Sequence, residues 1–324
     1  MTKINGVIVP SITIFNHDFS LNREANSYLF RHQLLNGATS IFLFGSTGEG
    51  LFYHDRIDTK TELINLAYET IKEEIPIICG AFGNSEEIVI NQIDKLGKAF
   101  SNLGFVIAPP FERKMSSKDL VGFMESILGS VAVSNKIILY NNPRNFANNE
   151  LELNHVKNLL NNPNLLGIKD TSEGFRETKK FLELLSEDFC VFCGEELNYS
   201  KFLMDIPSNL VENSGVVPSI SNISNICGQM IDALKINEID ILPNLQDKLN
   251  EIDKKIYDNQ SYKGNEQRGL KYALYSIYGD RMSSTKKDVM NLTPAVKQLL
   301  QSSREKEISK AIVELIKSGY IRVL

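Results

Sequence analysis

Lys169 stands at the end of the apolar run "LLGI", where the chain passes into "KDTS". Withdrawal of an amine from water favours its neutral form, and a neutral amine can attack a carbonyl to form a Schiff base. The same placement suits an ion pair with Asp170 or a nearby glutamate, and spacing alone leaves both readings open. Tyr140 closes another apolar run, "KIILY", and Ser46 and Thr47 follow a third, "SIFLF", inside the turn "GSTGEG" (Gly45–Gly50). That turn has the first half of a phosphate loop, two glycines with four residues between them. Leu51 and Phe52 then occupy the places where such a loop needs Lys and Ser/Thr, so a nucleoside triphosphate is not its ligand.

These groups need elements to bring them together. Eight short apolar, β-branched runs recur: "GVIVPSITIF" from Gly6, "TSIFLFG" from Thr39, "IPIICGAFG" from Ile75, "GFVIAPPF" from Gly104, "KIILYNNP" from Lys136, "LLGIKDT" from Leu165, "FCVFCGE" from Phe189 and "LVENSGVVPS" from Leu210. They are near-continuous rather than alternating, as expected of parallel strands covered on both faces. Amphipathic segments of helical length lie between them. Asp58–Glu73 puts Leu63, Leu66, Ala67 and Ile71 on one stripe, and Asn84–Phe100 repeats the pattern after an Asn-x-x-Glu start. "SSKDLVGFMESILGSV" and "SEGFRETKKFLELLSE" do the same. Strand–helix alternation of this kind predicts an α/β protein, a (β/α)8 TIM barrel, with a doubly wound open sheet as the runner-up.

In a barrel, active sites form at the C-terminal ends of the strands, which would place Ser46, Thr47, Tyr140 and Lys169 around one mouth. The strand signals stop near Asn222. Residues 1–221 would hold the barrel strands and intervening helices, and 222–324 the last barrel helix and a C-terminal helical extension of two more helices. "YDNQSYKGNEQ" reads as a polar loop within that extension.

Bulk properties exclude several classes. The net charge of −5 and a pI near 5.6 argue against a protein that binds nucleic acid by neutralising phosphates. No apolar run reaches the roughly 20 residues that span a bilayer, and the N-terminal stretch is not a signal peptide, so a cytoplasmic address is expected. His17, His32, His54 and His155 are scattered without metal-ligand spacing. Cys190 and Cys193 form a CxxC, but residues three apart on a strand face opposite sides, so they read as buried core thiols. No metal or cofactor is expected.

"GSTGEG" (Gly45–Gly50), "YNNP" (Tyr140–Pro143) and "GIKDTS" (Gly167–Ser172) occur in the order and approximate spacing of one enzyme family. The chain resembles the pyruvate-dependent class I aldolases, which include N-acetylneuraminate lyase, dihydrodipicolinate synthase and 2-keto-3-deoxygluconate aldolase. The resemblance covers the barrel and extends into the helical tail. It implies Lys169 as the imine-forming residue and Tyr140 as the phenol that moves protons. It also implies that Thr47, with Ser46 and Gly48, binds the carboxylate of a 2-oxo acid, the glycines letting the backbone approach the anion. The partners would be a 2-oxo acid and an aldehyde, with no cofactor, in a homotetramer.

Two departures refine the expectation. The synthase branch places an Arg five residues after the tyrosine to hold a second carboxylate; here that position is Asn145, with Arg144 one residue early. Many relatives end the fourth strand with a relay tyrosine; here "APPFERK" offers Phe111, which has no hydroxyl. After the seventh strand, "GEEL" resembles a stretch that meets sugar hydroxyls in the lyase branch, which points to Glu196, and Ser219 in "PSISN" could reach the same polyol. The expected activity is reversible cleavage of a 2-keto-3-deoxy sugar acid to pyruvate and an aldehyde. The alternatives are 4-hydroxy-tetrahydrodipicolinate synthase, a sugar-acid dehydratase of the same family, and a barrel that binds a 2-oxo acid only to regulate.

Overall fold

Each apolar run forms a parallel strand because both of its faces are buried, one against helices and one against the barrel interior. The computed structural model describes residues 3–258, 265–293 and 300–324. The strands are β1 (Gly6–Pro10), β2 (Ser40–Leu43), β3 (Ile77–Gly80), β4 (Gly104–Ile107), β5 (Ile137–Asn141), β6 (Leu165–Asp170), β7 (Cys190–Cys193) and β8 (Ser214–Val216). They pair in sequence order, and β8 closes on β1, giving a barrel rather than an open sheet. The first eight helices are α1 (Arg23–Leu35), α2 (Ile57–Ile71), α3 (Glu86–Ala99), α4 (Ser117–Ser130), α5 (Leu153–Leu159), α6 (Arg176–Phe181), α7 (Tyr199–Met204) and α8 (Ile226–Lys235).

The two strand faces build two cores. Ile41, Leu43, Ile107, Leu139, Ile168 and Val191 point outward and pack with the helices in one layer. Ile8, Phe42, Ile78, Val106, Ile138 and Phe192 point inward and fill the barrel. The CxxC divides the same way, Cys190 inside and Cys193 outside, and both thiols are free and buried.

Local differences from the sequence expectation have local causes. Ser85, not Asn84, caps α3 by accepting from Ile88 N; the Asn84 side chain instead accepts from Phe111 N and Glu112 N. The helix expected around "SEGFRETKKFLELLSE" shrinks to α6 and a 3-10 turn, because Gly174 and Phe175 take left-handed conformations in the loop after β6. Beyond α8 the described residues hold α9 (Leu242–Ile256), α10 (Asn265–Tyr278), the single-turn α11 (Lys286–Val289) and α12 (Ser302–Lys317), more than the two expected. The break between α8 and α9 comes at Asn237, with φ +62°, and Pro243 lies in the first turn of α9. Of the stretch read as a polar loop, 259–264 lie outside the described residues, and Asn265–Gln267 already belong to α10. Among the described residues no helix is long and apolar enough to cross a membrane.

Candidate active site

β5 and β6 pair with Tyr140 opposite Lys169 and Asn141 opposite Asp170. Successive strand residues face opposite ways. Tyr140 and Lys169 therefore enter the barrel together, while Asn141 and Asp170 turn to the helix layer. There Asp170 accepts from Asn141 Nδ2 (2.7 Å), Ser172 Oγ (2.8 Å) and Thr178 Oγ1. It is thus not the partner of Lys169, and among the described residues no carboxylate lies within ion-pair distance of the Lys169 amine. Lys169 is 6% exposed. Its Nζ sits 4.0 Å from the centre of the Tyr140 ring and 5.2 Å from that of Phe42.

The Tyr140 hydroxyl lies 3.1 Å from Ser46 Oγ and accepts from Asn142 Nδ2 at 2.7 Å. Burial alone would raise the pKa of this phenol, but the Lys169 charge and the hydrogen bonds from Ser46 and Asn142 outweigh it, holding the phenol below the ordinary tyrosine value. A buried phenol held this way can pass a proton to and from a neighbour.

The "GSTGEG" turn is anchored from three sides. Thr13 Oγ1 donates to Gly48 O at 2.9 Å, and Gln267 Nε2 donates to Ser46 O at 3.3 Å. Glu49, in a left-handed conformation, is fully engaged: Lys271 Nζ lies 2.7 Å from its Oε1, and Thr293 N donates to its Oε2 at 2.7 Å. The turn itself requires two of its glycines. A Cβ on Gly48 would stand 2.6 Å from Ser11 O, and one on Gly50 1.8 Å from Phe44 O, so the space a side chain would need is taken by the chain itself.

Thr47, 6% exposed, lies with its Oγ1 2.9 Å from Ser219 Oγ, and Ser219 Oγ is 3.0 Å from Glu266 Oε2. Ser219 thus links the turn after β2 to the first turn of α10. Glu196 is half-buried and already well supplied with donors: Ile220 N reaches its Oε1 at 3.0 Å and Tyr257 Oη its Oε2 at 2.9 Å. Burial, and next the charge of Glu266, push the pKa of its carboxyl up. Arg144 is exposed at the rim and paired with Glu173, and Phe111 packs edge-on against the His54 ring at 5.3 Å.

Several site residues were not singled out in the sequence. Asn142 lies within "YNNP", and Glu49 was visible as a lone charge in a glycine-rich turn. Gly194, whose Cβ would crowd the Lys169 chain, opens the quoted "GEEL", but nothing there pointed to the lysine, and Glu266 and Gln267 lie far along the chain in a stretch that looks like loop. Among the described residues no group of His, Cys, Asp and Glu is arranged to hold a metal ion.

The closed (β/α)8 barrel carries a buried lysine and phenol at the C-terminal ends of adjacent strands, where enzymes of this fold build their active sites. Residues 3–302 match the Dihydrodipicolinate synthetase family, and the chain belongs to it. It is therefore a Schiff-base lyase of the pyruvate-dependent class I aldolase kind. A 4-hydroxy-tetrahydrodipicolinate synthase of Bartonella bacilliformis is 23% identical over 278 residues, 85% of this chain and 88% of the relative. An uncharacterised DapA-like lyase of Thermofilum pendens is 30% identical over 225 residues, 67% of this chain and 72% of the relative. Among solved structures, a variant of the Sulfolobus solfataricus 2-keto-3-deoxygluconate aldolase superposes with a TM-score of 0.77 at 19% identity, covering 98% of this chain and 99% of that one.

Proposed function

We propose that this enzyme reversibly cleaves a 2-keto-3-deoxy sugar acid to pyruvate and an aldehyde through an imine on Lys169. The observation that carries this is the Lys169 amine, buried beside Tyr140 with no carboxylate in ion-pair distance among the described residues. In this reading the amine attacks the C2 carbonyl and water leaves. The protonated imine then withdraws electrons from C3. Tyr140 takes the proton from the C4 hydroxyl, the C3–C4 bond breaks, and the electron pair enters the enamine as the aldehyde departs. Protonation at C3 and hydrolysis release pyruvate. Ser46, in contact with the Tyr140 hydroxyl, shares the proton movement that a tyrosine in place of Phe111 would otherwise serve.

The backbone of Thr47 and Gly48, with the Ser46 and Thr47 hydroxyls, would hold the carboxylate, with Ser219 against Thr47 beside it, and Glu196 would line the hydroxylated part of the substrate. A sugar acid is favoured over aspartate semialdehyde because Arg144 is engaged by Glu173 at the rim and Asn145 supplies no guanidinium. A bidentate carboxylate clamp needs that group. The resemblance also supports a homotetramer, which analytical ultracentrifugation would read. The deciding experiment compares kcat/KM for 2-keto-3-deoxygluconate cleavage with that for pyruvate plus aspartate semialdehyde, alongside borohydride trapping of pyruvate on Lys169. Preference for the sugar acid, release of pyruvate rather than a dehydrated acid, and loss of trapping in Lys169→Ala are expected. A clear preference for the semialdehyde would make this chain a synthase instead.

A further inference from the structure

Thr47, Ser219 and Glu266 form a hydrogen-bonded chain of three oxygens, with separations of 2.9 Å and 3.0 Å, leading from the turn proposed to bind the 2-oxo acid carboxylate to the first turn of α10. Ser219 has one hydroxyl proton, so the chain can run in only two directions. When Glu266 is ionised it can only accept; Ser219 donates to it, and the Thr47 proton turns to Ser219. When Glu266 is protonated it donates to Ser219, Ser219 donates to Thr47, and the Thr47 proton is released toward the mouth.

We propose that Glu266 is a positioning residue which, through Ser219, sets whether the Thr47 hydroxyl donates to the carboxylate of the bound 2-oxo acid. The inference rests on the proposed carboxylate-binding role of the turn. Its consequence is that binding of the acid is linked to protonation of Glu266. The surroundings keep that proton available. Burial raises the pKa of the Glu266 carboxyl above the ordinary glutamate range, against the Ser219 hydrogen bond and the charges of Lys169 and Arg144. Glu196 after β7, Asp253 of α9 and Tyr257 after α9 also face it, and a negative charge on Glu266 raises the pKa of each of them. Gln267, the next residue, holds the backbone of Ser46, so α10 and the turn keep their relative position.

Lactate tests the linkage without imine chemistry, since it carries the same carboxylate and no carbonyl. Its dissociation constant is measured by calorimetry from about pH 5 to about pH 9. The parent should weaken by roughly tenfold over that range, the worth of one hydrogen bond to a charged group. Glu266→Gln retains a donor to Ser219 at every pH, so it should bind like the low-pH parent throughout. Ser219→Ala removes the oxygen that diverts the Thr47 proton and should bind like the low-pH parent with little pH dependence, whereas Thr47→Val loses the donor itself and should bind weakly at every pH. A pH dependence in Glu266→Gln equal to the parent's overturns the proposal. So does a full dependence retained in Ser219→Ala, which would mark plain repulsion between Glu266 and the ligand. If neither lactate nor pyruvate binds, the carboxylate site itself is lost and the proposal with it. Failure of borohydride trapping with lactate binding intact would instead overturn only the imine on Lys169.

Discussion

Gly194 follows β7 directly beside the Lys169 side chain, and a Cβ there would lie 2.2 Å from Thr171 Oγ1 and 2.9 Å from Lys169 Cε. The methylene stem of the lysine therefore passes through a gap that only glycine leaves open. Gly194→Ala should displace the amine relative to Tyr140 while the barrel still folds. Because misplacement of a reacting group by about 1 Å can cost about 100-fold, the rate of pyruvate trapping by borohydride should fall at least about tenfold. Trapping at the parental rate would mean that the lysine stem has another route past β7. This residue also marks a limit of sequence reading. Lys169 announced itself as a charge in an apolar run, and Tyr140 as a phenol ending another. Gly194 is one glycine among twenty, and its role exists only once β6 and β7 lie side by side.

At the scale of elements, the strands were legible because burial on two faces leaves a continuous apolar signature, and eight such runs admit few closed arrangements. What could not be read was how the extension meets the barrel, since pairings between distant segments carry no periodicity. The Glu49–Lys271 pair is the clearest case. It joins the turn after β2 to α10, both side chains are buried, and the Lys271 amine also donates to Asn291 O at 2.6 Å. Burial lowers the pKa of Lys271, and the Glu49 carboxylate counters it. Removing one member of a buried pair leaves the other charge without compensation, a loss of about 3–5 kcal/mol. Lys271→Met should lose stability on that scale in urea denaturation, and adding Glu49→Gln to it should restore a good part. A single variant within about 1 kcal/mol of the parent would show that the turn is held by Thr13 and Thr293 without help from the ion pair.

Across the whole molecule, the extension is fastened back onto the barrel at the bottom of α1 as well as at the mouth. His32 is buried there, with Nε2 2.8 Å from Ile223 O and Nδ1 2.8 Å from the Tyr278 hydroxyl of α10. The carbonyl can only accept, so Nε2 carries the proton and Nδ1 accepts from Tyr278, an arrangement that requires neutral imidazole. The Tyr278 oxygen in turn accepts from Leu324 N at 3.3 Å, and Asn36 accepts from Arg322 N at 2.9 Å, tying down the C-terminal segment. Among four scattered histidines the sequence offered nothing to separate this one from the rest. Burial lowers the His32 pKa from 6.5 to about 4, against the Ile223 hydrogen bond, which favours the charged ring. Between those values the unfolded chain binds the proton and the native state does not, so stability rises with pH through that window and is lost as pH falls through it. A difference of about 2.5 pH units corresponds to about 3 kcal/mol once pH is below the native value. Carboxylates titrate in part of the same range, so the measurement must be a difference: urea unfolding of the parent and of His32→Gln at a series of pH values. The variant should be less stable at neutral pH, and the gap should close as pH falls from about 6.5 to about 4. If the two lose stability in parallel, protonation of His32 is not what loosens the extension from the barrel.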